Sequence, residues 1–131
     1  MTQRSKEILC LCHDREMLLI RRMLLEHFGY KVMSTTSAED ARNMVEERCP
    51  DMLLMDNGDL GVDYSRLAEE VKKTCPEVIT VELAPYYRGP SNGSASAIDR
   101  FVAKDDGPAA LITQIRELFE GNPEPSVDAV D

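Results

Sequence analysis

The stretch Cys49-Pro50-Asp51-Met52-Leu53-Leu54-Met55-Asp56 decides the fold that this sequence predicts. Four apolar residues follow one another between a Pro-Asp pair and an aspartate. An unbroken apolar run of this length is typical of a strand that is buried on both faces, as in a parallel sheet. Asp56 therefore stands at the carboxyl end of a buried strand, where burial and neighbouring charges shift the pKa of a carboxyl group.

Strands and helices alternate on both sides of this run. Glycine and proline at residues 89–90 argue against a helix there, so the helix expected before the last strand is short or missing. Regular alternation predicts an α/β fold, a three-layer sandwich whose parallel sheet has helices on both faces. The other predicted strands are residues 8–12, 31–35, 78–83 and 100–103, and the predicted helices span 15–28, 37–49, 65–73 and 108–120.

Local signals support these helices. Gly29 fits a position with positive φ after a helix end, and Ser37 fits an N-cap. In the helix over 15–28, the apolar residues at helical spacing predict the buried face, with Arg21 between them. That predicted buried face consists of Met17, Ile20, Met23 or Leu24, and Phe28.

Length and composition narrow the class of protein. The 131 residues suit one domain, which we predict over 1–121 with a flexible acidic tail over 122–131. With 43% hydrophobic and 30% charged residues, the chain is typical of globular proteins. Its net charge of −9 disfavours nucleic-acid binding, and no apolar run predicts a signal peptide or membrane span. A reducing cytoplasm is the expected location, so the four cysteines need not form disulfides.

Several polar or ionisable residues follow the predicted strands, where parallel sheets bind their ligands. Asp56 follows the central strand, and Lys104 follows Val102 and Ala103 of the last one. With the Pro50-Asp51 entry to the central strand, these features resemble the receiver domain of bacterial response regulators, of the chemotaxis type. The resemblance covers about residues 7–120. It implies a flavodoxin-like sheet of five strands in the order 2-1-3-4-5.

The resemblance also implies a function. The chain would be a stand-alone receiver-like domain in two-component phosphorelay signalling, and it would not be an enzyme. Asp56 would accept a phosphoryl group from a sensor histidine kinase, Lys104 would pair with the phosphoryl oxygens, and Phe101 would be a switch residue. Its partners would be that kinase or another signalling protein, and a homodimer is compatible with the resemblance.

The chain departs from the family at the acidic pocket. The acidic pair that helps to hold Mg²⁺ in the family is replaced by Cys12 and His13, with Asp14 displaced by one residue. Mg²⁺ prefers oxygen ligands, and only Asp56 and Asp14 remain to supply them. Mg²⁺ is therefore the implied cofactor, but the replaced pair argues against its binding.

A second departure concerns Glu82, which we assign to the switch position that carries a hydroxyl group in the family. A carboxylate about 4 Å from a phosphoryl oxygen costs roughly 4 kcal/mol at an effective dielectric near 20. Glu82 could instead pair with Lys104, while a protonated His13 replaces the cation beside Asp56. The alternative function is therefore a phosphorylation-independent pseudoreceiver, an atypical member whose partner docks around residues 86–96 and Phe101.

Cysteine motifs and enzyme signatures give weaker signals. Cys10 and Cys12 share one face of a strand, which is compatible with a metal site but more typical of small core residues. Cys49 and Cys75 each precede a proline and are interpreted as packing residues. No nucleophile–base pair, phosphate-binding glycine loop or dinucleotide fingerprint points to an enzyme.

Overall fold

The computed structural model of the chain describes residues 5–58, 61–84 and 97–121. These residues form five strands, four α-helices and one short 3₁₀ turn over Lys104–Asp106. The strands are β1 (Glu7–Leu11), β2 (Lys31–Thr35), β3 (Met52–Asp56), β4 (Ile79–Ala84) and β5 (Arg100–Ala103). The helices are α1 (Arg15–His27), α2 (Ala38–Glu47), α3 (Tyr64–Thr74) and α4 (Gly107–Glu120).

The strands form one parallel sheet in the order β2-β1-β3-β4-β5. The predicted fold class and strand order are confirmed. All five residues of β1 and of β3 are buried, as expected for strands with a neighbour on each side and helices on both faces. The β3–β4 register places Asp56 opposite Leu83, so β3 and β4 end close together at the carboxyl edge of the sheet.

Two hydrophobic clusters, one on each face of the sheet, make up the core. Because side chains alternate along a strand, β1 and β3 contribute to both clusters. One cluster joins the sheet to α1 and α4 and includes Ile8, Leu54 and Ile115. The other joins it to α2 and α3 and includes Leu9 and Leu67. The three-layer arrangement therefore places α1 and α4 on the same face.

Side-chain caps fix where the helices begin. Asp14 accepts hydrogen bonds from the amides of Glu16 and Met17 at the start of α1. Ser37 accepts one from the Asp40 amide, which confirms the predicted N-cap of α2. Gly29 has a φ of 95°, as predicted for the residue that lets the chain turn back into β2.

The predicted buried face of α1 is wrong. The residues that α1 buries are Leu18, Arg21 and Leu25, whereas Ile20 and Met23 are exposed. The helix carries apolar residues at helical spacing on both faces, and the sheet contacts the face that includes Arg21. An arginine is rarely buried without a partner, so its position requires a buried anion.

The interpretation of Cys49 and Cys75 as packing residues is also wrong, because the two form a disulfide with a Cα–Cα distance of 5.7 Å. Each cysteine precedes a proline in the loop that enters β3 or β4, and these strands are hydrogen-bonded neighbours. The two loops therefore lie side by side at the amino edge of the sheet.

Two predictions lie outside the described residues: the short or missing helix over 85–96 and the flexible acidic tail over 122–131. Among the helices of the part that the structure describes, none is long and apolar enough to cross a membrane.

Candidate functional site

The candidate site lies at the carboxyl edge of the sheet, where Asp56 ends β3. The Asp56 side chain is only 3% exposed. Lys104, directly after β5, places its Nζ 2.5 Å from Asp56 Oδ1. The sequence predicted that these two residues meet, and the structure brings them into contact.

Arg21 is the second cation at Asp56, and it was not among the predicted site residues. Its guanidinium donates a hydrogen bond to Asp56 Oδ2, and the pair is buried between α1 and the sheet. The Cys12 thiol also lies 3.5 Å from Oδ2 and donates to it. Both carboxylate oxygens therefore have a cationic partner.

The ionised form of Asp56 is stabilised by these partners. Burial by itself raises the pKa of a carboxyl group, but the hydrogen bonds and charges of Lys104 and Arg21 outweigh it. The pKa of Asp56 therefore lies below its ordinary value of 3.8. Because two cations surround one carboxylate, the three side chains together carry a surplus positive charge.

Cys10, in β1, and Cys12, directly after β1, both stay protonated. Burial raises the pKa of the Cys12 thiol, and it raises the pKa of Cys10 to about 12. Both are free and buried, and Cys10 packs in the core between the sheet and α1. A thiol with a raised pKa is a poor nucleophile and a poor metal ligand.

His13 and Asp14 do not take the roles that the sequence predicted for them. The His13 ring lies so close to Gly58 that a Cβ at that glycine would come within 2.5 Å of it. The cation that hydrogen-bonds Asp56 Oδ2 is Arg21 and not His13, so that hypothesis is wrong. Asp14 uses its carboxylate to cap α1.

These residues do not fit a Mg²⁺ ion. The positions of the acidic pair hold a protonated thiol and an imidazole, and Asp14 is engaged in capping. Arg21 already occupies Asp56 Oδ2, and the surplus positive charge repels any further cation. Within residues 5–58, 61–84 and 97–121, no group of three or more His, Cys, Asp or Glu side chains could hold a metal ion.

The predicted pair between Glu82 and Lys104 is not formed. Glu82 accepts a hydrogen bond from the side-chain amide of Asn57, and Lys104 pairs with Asp56 instead. Glu82 lies opposite Met55, two residues before the end of β4, and its assignment to the switch position stays a prediction.

Phe101 lies opposite Glu82 in the β4–β5 register. Its ring is partly buried and packs against the core cluster between the sheet, α2 and α3. Its role as a switch residue stays a prediction.

Comparison with known proteins gives the fold a name. No protein-family model and no curated protein matches the chain. Among solved structures, a CheY-like response regulator receiver domain from Methanospirillum hungatei is 21% identical, with a TM-score of 0.78 over 90% of this chain and 96% of that chain.

Two further structures agree. The response regulator TrrA from Thermotoga maritima, in complex with Mg²⁺ and BeF, is 21% identical, with a TM-score of 0.77 over 87% of this chain and 99% of that chain. A response regulator receiver protein from Sinorhizobium medicae is 21% identical, with a TM-score of 0.75 over 91% and 98%. The chain therefore has the receiver-domain fold.

Proposed function

We propose that this receiver-fold chain is a signalling module that acts through contacts with other proteins, without phosphorylation of Asp56. The observation that carries the proposal is that each Asp56 oxygen lies against a cation, Oδ2 against the buried Arg21 and Oδ1 against the partly exposed Lys104. A carboxylate that attacks a phosphoryl group needs a free oxygen, and the new phosphoryl group needs a cation to offset its charge. Here Arg21 and Lys104 are already occupied by Asp56 itself.

The surrounding residues support the same proposal. Cys12 and His13 stand where the family carries the acids that help to hold Mg²⁺, and Glu82, assigned to the family's hydroxyl position, carries a carboxylate instead. The site thus has neither the cation ligands nor the hydrogen-bond donor that would stabilise a phosphorylated Asp56. The two ion pairs of Asp56 instead connect α1, through Arg21, and the β5–α4 connection, through Lys104, to the centre of the sheet.

Phosphorelay signalling, with Asp56 as the phosphoacceptor and a sensor histidine kinase as the partner, is the second candidate. The contact between Asp56 and Lys104 favours it, because such a lysine would also meet a phosphoryl group on Asp56. The predicted cytoplasmic location belongs with either candidate and stays a prediction. The Cys49–Cys75 disulfide is a kind of bond more common in oxidising compartments.

Intact-mass spectrometry after treatment with acetyl phosphate and Mg²⁺ distinguishes the two candidates. We expect no phosphoryl adduct on this protein, under conditions in which a receiver domain that retains the acidic pair is labelled in parallel. The Asp56→Asn variant controls for labelling elsewhere on the chain. A stoichiometric adduct that is present in the natural protein and absent from Asp56→Asn would establish phosphorelay and overturn the proposal.

A further inference from the structure

A groove between α1 and the start of α4 opens beside the candidate site. It has a volume of about 270 Å³, and most of the residues that line it are apolar. Side chains of three elements meet there, among them Leu24 of α1, Leu83 of β4 and Leu111 of α4. At the roughly 30 Å³ that one water molecule occupies in the liquid, the groove has room for about nine non-hydrogen atoms.

Two apolar side chains of α1 at this groove are open to solvent. Ile20 is 57% exposed and Met17 is 37% exposed, and both line the groove. Exposed apolar side chains beside a concave apolar surface are typical of a ligand-binding site. An aliphatic chain in the groove would cover both side chains and remove them from water.

The ionisable residues at the groove are cations. Among the residues that the structure describes, Arg21 and Lys104 line it and no acidic side chain does. Both contact Asp56, and because one carboxylate lies between two cations, one positive charge remains uncompensated. Asp105 and Asp106 precede α4, but they are exposed and do not line the groove. The charge at the groove therefore favours a ligand with a single negative charge.

Both cations have hydrogen-bond donors that Asp56 does not use. A guanidinium has several N–H donors, and in the described part of the chain Arg21 donates to Asp56 alone. The Arg21 side chain is only 10% exposed, so few of its donors are in contact with bulk water. Lys104 is 32% exposed and likewise has donors left over. Buried donors without an acceptor cost free energy, and a ligand with two oxygen acceptors would satisfy them.

We propose that this groove binds a small aliphatic monocarboxylate of about seven carbons, the size that its volume accommodates. The carboxylate lies against Arg21 and Lys104, and the chain lies along Ile20 and Leu24. A carboxylate carries the single charge that the site leaves uncompensated, whereas a phosphate monoester carries about −1.5 to −2. The geometry of a guanidinium also matches that of a carboxylate. This site goes beyond the proposed function and does not depend on it.

Titration of the ¹⁵N-labelled full chain with heptanoate, followed by NMR, tests the proposal. We expect saturable shifts of the amide resonances of Gly107 and Leu111, which line the groove. Affinity should rise about threefold per methylene from butanoate to heptanoate, because each methylene leaves water. 1-Heptanol, which lacks the charge, should bind about tenfold more weakly. The absence of saturable shifts with heptanoate would overturn the proposal, and tighter binding of heptyl phosphate would overturn the assignment of a carboxylate.

A matched pair of variants on α1 tests where the ligand lies. Ile20→Glu places a negative charge in the groove and should weaken heptanoate binding more than about tenfold. Leu19→Glu adds the same charge at a position that is also 57% exposed but does not line the groove, and it should change the affinity less than about twofold. Equal effects of the two variants would contradict the proposal.

Lys104→Gln tests the role of the uncompensated charge. The substitution leaves Asp56 and Arg21 as a neutral pair, so the affinity for heptanoate should fall about tenfold. Circular dichroism checks that the variant is folded. A folded Lys104→Gln protein that binds heptanoate as tightly as the natural protein would overturn the proposal. None of these results depends on whether Asp56 accepts a phosphoryl group, which the intact mass measures separately.

Discussion

Replacing Asp56 with asparagine gives the sharpest test of the charge arrangement at the candidate site. The substitution keeps the size of the side chain and removes the negative charge that Arg21 and Lys104 share. Two neighbouring cations are then left without an anion. We therefore expect the Asp56→Asn variant to be less stable than the natural protein.

The magnitude follows from the burial of the three side chains. Removing one partner of a buried ion pair costs about 3–5 kcal/mol. Lys104 is 32% exposed and can turn toward water, whereas Arg21 is 10% exposed and cannot. The loss should therefore come chiefly from Arg21, about 3 kcal/mol, which corresponds to about a hundredfold change in the unfolding equilibrium.

Urea unfolding, followed by circular dichroism, measures this loss. With a denaturant dependence of about 2 kcal/mol per molar urea, the midpoint should fall by about 1.5 M. Asp105→Asn is the matched control, because Asp105 is exposed one residue after Lys104, and its effect should stay within about 0.5 kcal/mol. In a double-mutant cycle, Arg21→Met should cost less in the Asp56→Asn background than in the natural protein.

A gain in stability on Asp56→Asn, instead of a loss, would refute the reasoning. Where an aspartate lies among other acids, removing its charge relieves repulsion and stabilises the fold. A variant that is as stable as the natural protein, or more stable, would mean that Arg21 and Lys104 do not compensate Asp56.

Three further predictions concern stability. Folding lowers the pKa of Asp56, so its ionised carboxylate stabilises the fold above the ordinary pKa of 3.8, and this stabilisation is lost as the pH falls through the lower pKa of the folded state. The difference in unfolding free energy between the natural protein and Asp56→Asn should therefore be constant between neutral pH and about pH 5. In urea titrations at more acidic pH, this difference should shrink. The Cys49→Ser/Cys75→Ser variant should lose about 3.5 kcal/mol relative to the oxidised protein, since the disulfide closes a loop of 26 residues, and an equal stability of the two forms in urea would contradict this. Thr80→Val should lower the unfolding free energy by about 1–3 kcal/mol in the same assay, because the fully buried Thr80 hydroxyl donates a hydrogen bond to the Ala97 carbonyl at 2.5 Å. An unchanged urea midpoint would show that this hydrogen bond does not stabilise the segment that leads into β5.

The sheet was predictable because its signals are local. Met52–Asp56 is an unbroken apolar run closed by an acid, and the turn at Gly29 and the cap at Ser37 depend only on neighbouring residues. The contact between Asp56 and Lys104 followed from the same logic, since parallel strands end at one edge. These features need no knowledge of which helix face meets the sheet.

Arg21 could not be placed in the same way. Helix α1 has apolar residues at helical spacing on two faces, and periodicity alone does not say which face is buried. Asp56 lies 35 residues away in sequence, so no local pattern joins the two. The sequence did contain one indication. Asp56 is a buried acid, and the acidic pair that the resemblance predicts beside it, as ligands of a metal cation, is replaced by Cys12 and His13. A buried carboxylate without a metal ion needs another cation as its partner.

The disulfide left a different signal. The Cys-Pro pairs that begin at Cys49 and Cys75 both stand in loops leading into strands, and the strands they precede are neighbours in the predicted order. Parallel neighbours bring their entering loops together, which places the two cysteines side by side. The expected reducing cytoplasm argued against a disulfide, so the two cysteines were interpreted as packing residues.

Titration of the Asp56 carboxyl carbon by ¹³C NMR, with and without Mg²⁺, tests the central claim most directly. If Arg21 and Lys104 hold Asp56 as a compensated anion, its pKa lies below the ordinary value of 3.8 and does not change when Mg²⁺ is added. A pKa at or above that value, or a resonance that shifts on titration with Mg²⁺, would contradict the account.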